Sequence, residues 1–282
     1  MATYILVHGA WHGGWTWQDV ATTLRAEGHA VVTPTLDGLG EQGEGIDQLY
    51  GVMRHVDQLE ALIRALLQPQ GSIHAHGNIQ AHGNSKPRAE PADNEAIVLV
   101  GHSYAGVLLA PLVERLPGCI TQLIYLDAAV LEDGECFFDM MPPELADQRR
   151  RQAEANGGRM AIPGPEQMGI ADMQDWQRIA HLLVAHPVIT YHTPIALQGM
   201  PGEGVSCDYV ECTAPSYEPL AWARERVRRY GWRWWGISTG HDAMVTAPDC
   251  LSQMLMHLVA EAARGDQLKA TQGDQAPTPA TI

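Results

Sequence analysis

A short turn with the sequence GHSYAG, residues 101–106, restricts more than any other feature how this chain can fold. It directly follows the apolar run at residues 97–100 and directly precedes a helical pattern. A serine in so tight a strand–turn–helix needs small residues two positions before and after it. Gly101 and Ala105 occupy those positions, although the usual Gly-x-Ser-x-Gly pattern has glycine at the second one. The turn places the Ser103 hydroxyl at the carboxyl edge of a sheet, beside a helix N-terminus, and this predicts a nucleophilic serine.

Strand-like and helix-like segments alternate along most of the sequence. Short apolar runs predict strands, and apolar residues at helical spacing predict the helices between them. The alternation predicts an α/β fold with a mainly parallel sheet flanked by helices. The predicted strands are residues 4–7, 30–33, 97–100, 123–126, 209–212 and 232–237, and the predicted helices are 17–27, 47–67, 104–115, 218–229 and 248–264.

Residues 131–190 interrupt this alternation. They are richer in methionine, proline and tryptophan and show irregular helices, including one around 171–185. Because parallel sheets bind ligands at the carboxyl ends of their strands, we interpret the segment as a helical cap, or lid, inserted over that edge. The predicted core then consists of residues 1–130 and 191–264.

Residues 68–95 contain a near-repeat, IHAHGN at 73–78 and IQAHGN at 79–84, followed by a polar stretch with prolines. This composition is typical of a loop insertion that is mobile or partly ordered, and we interpret residues 265–282 as a flexible tail. No acidic or cysteine ligand accompanies the histidines of the repeat in a recognised spacing, so we predict no metal site and no cofactor. Those histidines are His74, His76 and His82.

The composition restricts the partners of the protein. A formal net charge of −15 disfavours nucleic acid and anionic membranes. No apolar run is long enough for a membrane-spanning helix, and the first residues lack the pattern of a signal peptide, so we expect a cytoplasmic protein. The cysteines form no CxxC pair, which indicates reduced thiols. The expected partner is a small hydrophobic substrate, and the formation of a homodimer stays open.

A serine hydroxyl needs a general base, and His241 is the candidate. It follows the last predicted strand, where a loop returns over the sheet edge. The oxyanion of an acyl transfer needs preorganised N–H donors, and we expect them from Tyr104, after the nucleophile, and from Ala10, after the first strand. The predicted substrate pocket draws on the first loop, the serine turn and the cap, namely Trp11, His102, Met140 and Trp176.

The segment VHGAWHGGW at residues 7–15, the turn at 101–106 and the segment around His241 resemble the plant methylesterase and hydroxynitrile lyase branch of the α/β-hydrolase superfamily. They are also similar to bacterial esterases that cleave carbamate, pyrethroid and methyl esters. The resemblance covers about residues 1–67 and 96–260. It implies an α/β-hydrolase fold with an inserted cap and a Ser-His-acid triad, and it does not specify the substrate.

The acid of that triad is where this sequence departs from the family pattern. The branch carries an Asp after the penultimate strand, whereas residues 213–218 read TAPSYE here. Asp127 ends the fourth predicted strand and can direct a carboxylate at the imidazole from the same sheet edge, which resembles certain haloalkane dehalogenases. Glu218, near the family position, and Asp242, adjacent to His241, are the alternatives. We prefer Asp127.

Together these features predict a serine esterase that hydrolyses a small hydrophobic or aromatic ester, carbamate or lactone through an acyl-enzyme. Two other enzymes on the same fold are alternatives: a cofactor-free dioxygenase that uses a dyad of His241 and Asp127, and a hydroxynitrile lyase. A ligand-binding protein without catalysis is disfavoured, because Ser103, His241 and the loop after the first strand are all present.

Overall fold

The computed structural model of the protein describes residues 1–40, 51–68 and 96–273. The predictions for residues 69–95, including the histidines of the near-repeat, and for residues 274–282 lie outside the described residues. Within the described ranges, no helix combines the length and the apolarity needed to cross a membrane.

Six parallel strands form one sheet, and a separate pair of short antiparallel strands lies between the fourth and the seventh strand in sequence. The strands are β1 (Ala2–Val7), β2 (Ala30–Val32), β3 (Ala96–His102), β4 (Gln122–Leu126), β5 (Arg159–Met160), β6 (His186–Pro187), β7 (Ser206–Cys212) and β8 (Arg233–Ile237). The order in the large sheet is β2-β1-β3-β4-β7-β8. The predicted α/β fold with a mainly parallel sheet is confirmed.

Helices connect these strands along the described chain. They are α1 (Gln18–Ala26), α2 (Gly51–Leu67), α3 (Gly106–Arg115), α4 (Pro143–Ala155), α5 (Met173–Ile179), α6 (Ile189–His192), α7 (Ala221–Tyr230), α8 (Ala243–Thr246) and α9 (Pro248–Gly273). The predicted start of the second helix, at residues 47–50, lies outside the described residues. The last helix continues past its predicted end at residue 264, because a glycine such as Gly265 weakens a helix without having to end it.

Side chains of the sheet alternate between two apolar layers. In β1, Ile5 and Val7 belong to the layer that contains the buried residues of α2 and α3, whereas Tyr4 and Leu6 belong to the layer of α1 and α9. Successive strand residues point to opposite faces, so a strand with both faces buried has a continuous apolar sequence. This explains why the apolar runs of the sequence predicted the strands.

The chain between β4 and β7 lies against the loops at the carboxyl ends of the strands. The Val184 N–H donates to the carbonyl of Trp11 at 2.9 Å, and the Arg159 guanidinium donates to the carbonyl of Gly38 at 3.0 Å. Helix α6 crosses residue 190, where the cap was predicted to end. The exact division into core and cap stays a prediction.

Candidate active site

Ser103 lies in the turn between β3 and α3 with a left-handed backbone, at φ 52°. A Cβ at position 101 would lie 3.0 Å from the Leu109 side chain and 3.1 Å from the backbone of Ala105, and one at position 106 would lie 2.1 Å from the carbonyl oxygen of Ala129. These close approaches explain the small residues in the GHSYAG turn. The turn is a strand-to-helix elbow that presents the serine hydroxyl at the sheet edge.

The register of the sheet brings a serine and a carboxylate to adjacent positions. His102 of β3 pairs with Leu126 of β4, so Ser103 and Asp127 are each the next residue after that pair. Asp127 also has a left-handed backbone, at φ 40°, and its N–H donates to the carbonyl of Val210 at 2.7 Å. Both side chains therefore leave the sheet at neighbouring strand ends.

His241 lies between these two side chains. Its Nε2 atom is 2.9 Å from the Ser103 hydroxyl oxygen, and its Nδ1 atom is 2.6 Å from Oδ2 of Asp127. Asp127 is fully buried, while Ser103 and His241 are 9% and 5% exposed. When the Nδ1–H donates to the carboxylate, Nε2 is the atom that can accept the serine proton. The structure thus brings together the three residues predicted as nucleophile, base and acid.

The two alternative acids lie elsewhere. Glu218 is exposed in a short 3-10 turn before α7. The Asp242 carboxylate is buried, and it faces His12 at 3.4 Å and His102 at 3.6 Å. In the described structure, Asp127 is therefore the carboxylate that hydrogen-bonds to the His241 imidazole.

Two residues that the sequence analysis did not identify support the imidazole and the carboxylate. Tyr217 stacks on the His241 ring, with centroids 3.9 Å apart and planes 14° apart. Burial raises the pKa of the Tyr217 phenol to about 12, so the phenol is neutral near pH 7. The Arg224 guanidinium lies 4.0 Å from the second Asp127 oxygen and 3.3 Å from Glu211. The loop after β7 thus supplies an aromatic ring at the place where the related branch has its acid.

Beside Ser103 lies a cavity of about 260 Å³ of empty space, part of it open to solvent. Of the predicted pocket and oxyanion residues, Trp11, His102 and Ala10 line it. The Tyr104 ring is buried away from this cavity, and its hydroxyl lies 2.9 Å from Nδ1 of His55. Its backbone N–H still directly follows the serine. The whole lining comprises Ala10, Trp11, His12, His102, Ser103, Pro163, Gln167, Met168, Tyr217, His241 and Asp242.

For Met140 and Trp176 the structure differs from the prediction, because neither residue lines this cavity. The Met140 sulfur accepts from the Arg226 guanidinium at 3.6 Å, and Trp176 packs against the apolar layer of α1 and α9. Other residues of the predicted cap segment line the cavity, including Met168. A methionine or tryptophan in this segment can either pack in the apolar core or line the cavity. The residue type alone does not indicate which of these it does.

Among the described residues, one group of imidazoles and carboxylates has the spacing to hold a metal ion. His102, His241 and Asp242 each offer a ligand atom, and these atoms lie within 4.8 Å of one another. Both His241 nitrogens, however, already lie at hydrogen-bonding distance from Ser103 and Asp127. We therefore interpret the group as part of a hydrogen-bonding network around His241.

A comparison of the whole sequence with family models places this site in a known family. The model of the alpha/beta hydrolase family matches residues 4–251, so the chain belongs to this family. The family membership that the sequence motifs predicted is confirmed.

Two relatives of this chain are named as esterases. A carbendazim hydrolyzing esterase from Nocardioides sp. (strain SG-4G) is 32% identical over 275 residues, which are 92% of this chain and 100% of that protein. Methyl jasmonate esterase 1 of Vitis vinifera is 28% identical over 125 residues. This second match covers 44% of this chain and 38% of the plant protein, so it is restricted to a part of each.

Solved structures with the same fold have low sequence identity to this chain. An extracellular alpha/beta-hydrolase from a Paenibacillus species gives a TM-score of 0.71 at 18% identity, over 91% of this chain and 98% of that one. A pyrethroid hydrolase from Sphingobium faniae JZ-2 gives a TM-score of 0.66 at 18% identity, over 93% and 99%. At such identities the likeness establishes the fold alone.

Proposed function

We propose that this carboxylic ester hydrolase cleaves small hydrophobic or aromatic esters, including carbamates and lactones, through an acyl-enzyme on Ser103. The observation that carries the proposal is the continuous hydrogen-bonded relay from the Ser103 hydroxyl through His241 to Asp127, beside a cavity. This arrangement has the geometry of an activated serine nucleophile.

In the proposed reaction, His241 accepts the Ser103 proton as the hydroxyl oxygen attacks the carbonyl carbon. Asp127 stabilises the imidazolium that forms. The N–H groups of Ala10 and Tyr104 donate to the oxyanion, and each such donor is worth on the order of 3 kcal/mol of barrier. His241 then protonates the leaving alcohol or amine, and a water molecule, deprotonated by the same imidazole, releases the acid.

The cavity supports the proposed hydrophobic character of the substrate. Trp11, Tyr217, Met168 and Pro163 give it aromatic and apolar walls. The relatives named for carbendazim, methyl jasmonate and pyrethroid hydrolysis agree with small hydrophobic substrates.

Two measurements on the purified protein test this proposal. Wild type and Ser103→Ala are treated with a fluorophosphonate probe and assayed with a panel of 4-nitrophenyl esters of increasing acyl size, together with carbendazim. We expect labelling at Ser103, faster turnover of the shorter or aromatic esters, and loss of both labelling and turnover in Ser103→Ala. Ester turnover at the wild-type rate in Ser103→Ala would refute nucleophilic catalysis by this serine. Oxygen uptake with a quinolone substrate, unchanged in that variant, would favour the dioxygenase alternative.

A further inference from the structure

A second imidazole–carboxylate pair lies buried beside the proposed triad. Nε2 of His12 is 3.4 Å from Oδ2 of Asp242, and the two side chains are 2% and 1% exposed. His12 belongs to the loop after β1, which also holds Ala10, while Asp242 directly follows His241. The pair therefore connects the loop of the proposed oxyanion donor with the loop of the proposed base.

His12, the imidazole of the pair, supports a strained turn in the loop after β1. Trp11 has a left-handed backbone, at φ 65°, which is unfavourable for a bulky side chain and persists only where the surroundings hold it. The Nδ1–H of His12 donates to the carbonyl of Ala10 at 2.8 Å, so this hydrogen bond spans the strained residue. With Nδ1 donating to a carbonyl, Nε2 is left to face the Asp242 carboxylate.

Asp242, the carboxylate of the pair, lies beside His102, which is hydrogen-bonded to the backbone of the proposed base. Nε2–H of His102 donates to the carbonyl of His241 at 3.0 Å and lies 3.6 Å from the other oxygen of Asp242. The carboxylate thus lies between two imidazoles, one from the loop after β1 and one from β3. In the described structure neither Asp242 oxygen has a hydrogen-bond partner, and neither does Nε2 of His12, so the two imidazoles at 3.4 and 3.6 Å compensate the buried carboxylate electrostatically.

The charges of these groups agree with an ion pair. Burial acts to raise the pKa of Asp242, but His12 and the neighbouring imidazoles lower it to about 2. Burial also acts to lower the pKa of His12, but Asp242 and the Ala10 carbonyl raise it above its usual value. Burial, together with His241, lowers the pKa of His102 well below its usual range, so His102 is the neutral member.

We propose that His12 and Asp242 are a positioning pair that holds the loop of the oxyanion donor in register with His241. The pair acts through Ala10 and His241 and does not itself transfer a proton to the substrate. Without it, the turn at Trp11 relaxes and the Ala10 N–H moves out of line with Ser103. This inference depends on the proposed serine mechanism, and it assigns a role to Asp242 other than that of the triad acid.

Steady-state kinetics of His12→Gln, Asp242→Asn and the double variant test the pair. We expect kcat to fall about 10- to 100-fold in each single variant, the order expected for a misplaced donor, with KM changed less than threefold. The double variant is expected to be no slower than the slower single variant, because the two residues act as one unit. Losses that multiply in the double variant, a loss confined to KM, or wild-type kcat would overturn the inference.

Stability has to be separated from positioning, because His12→Gln leaves a buried carboxylate without its charged partner. The matched control is Asp208→Asn, which removes another fully buried carboxylate, held by Arg233 at 2.6 Å and by Gln122 at 2.7 Å. This control is expected to lower the melting temperature while it keeps kcat within twofold. If a single variant does not fold, the double variant, which removes both charges, carries the kinetic test. A kcat loss in Asp208→Asn as large as in the pair would show that the effect is merely structural.

Fluorophosphonate labelling distinguishes a failure of the pair from a failure of the proposed function. The proposed function requires labelling of wild type at Ser103. The inference about the pair requires in addition that both single variants are labelled to completion at Ser103, but about 10-fold or more slowly, because the nucleophile is intact and the donor is displaced. Variants labelled at the wild-type rate would refute the positioning role and leave the serine mechanism untouched.

Discussion

The Nδ1 atom of His241 lies 2.6 Å from Oδ2 of Asp127, so the carboxylate beside the imidazole comes from the end of β4 and not from the loop after β7. Strand β4 is the neighbour of β3, which ends just before Ser103. Two adjacent strand ends therefore hold Ser103 and Asp127, and His241 reaches them from a distant loop. The loop after β7 is free to place Tyr217 against the imidazole.

Replacement of Asp127 by Asn is expected to remove most of the activity. The amide cannot stabilise the imidazolium and favours the wrong tautomer of His241, and in a serine protease the same change lowers kcat by about 10,000-fold. We expect a loss of about 1,000-fold or more in kcat with a small change in KM, measured by ester hydrolysis. Glu218→Gln is the matched control and should stay within twofold of wild type. Equal activity of Asp127→Asn and wild type would assign the acid to another residue.

Removal of the aromatic ring at position 217 is expected to slow the reaction moderately. An aromatic stack is worth about 0.5–1.5 kcal/mol, so Tyr217→Ala should lower kcat/KM about 3- to 10-fold as the His241 ring gains freedom. Tyr217→Phe keeps the ring and should stay within twofold of wild type. Steady-state kinetics on one aromatic ester separates the two variants. An equal loss in both would indicate that the hydroxyl, and not the stack, matters.

The close contact between Gly240 and Gly169, which lies in the predicted cap segment, predicts that Gly240 tolerates no side chain. A Cβ there would lie 1.9 Å from the carbonyl oxygen of Gly169. Gly240→Ala should lower the free energy of unfolding by about 1–3 kcal/mol and reduce kcat about 10-fold or more, because His241 is the next residue. Gly164→Ala, where a Cβ meets nothing within 4 Å, is the control and should match wild type in urea unfolding and in kcat. Unchanged kcat in Gly240→Ala would show that this contact does not position His241.

Buried neutral histidines predict a loss of stability in mild acid. Burial lowers the pKa of His8 to about 3 and that of His55 to about 4, from a usual value near 6.5. The unfolded chain takes up a proton on each of these histidines below about pH 6.5, whereas the folded chain does so only near its lower pKa. The stability that depends on the neutral imidazole is therefore fully present above about pH 6.5 and is lost as the pH falls towards the folded-state pKa. Within that window, each such histidine lowers the free energy of unfolding by up to about 1.4 kcal/mol for every pH unit that the pH falls.

Urea unfolding at pH 7.5, 6 and 5 measures this slope. We expect the free energy of unfolding to fall with pH in wild type and to fall less steeply in His55→Gln, since that variant removes one of the titrating groups. His12 has a raised pKa and acts in the opposite direction, since its contribution is lost as the pH rises. The same slope in His55→Gln and wild type would contradict the assignment to buried imidazoles.

The elements that the sequence predicted are those with local causes. The run at residues 97–100 is apolar at every position because both faces of β3 are buried, and positions 101 and 106 are glycines because a Cβ there would lie within about 3 Å of neighbouring atoms. The position of His241 after the last strand and of Asp127 at a strand end follows from strand order in a parallel sheet. The fold is confirmed, and the roles of these three residues stay predictions with a matching geometry.

Other parts of the site depend on packing between segments that are far apart in the chain. Met140 and Trp176 were predicted to line the pocket and do not, while the stacking of Tyr217 on His241 and the contact between His12 and Asp242 were not predicted. Strand, helix and tight-turn formation depend on the sterics of a few neighbouring residues, which can be read along the chain. The partner that a side chain meets depends instead on how the cap and loops pack on the sheet, and no short-range pattern encodes that choice.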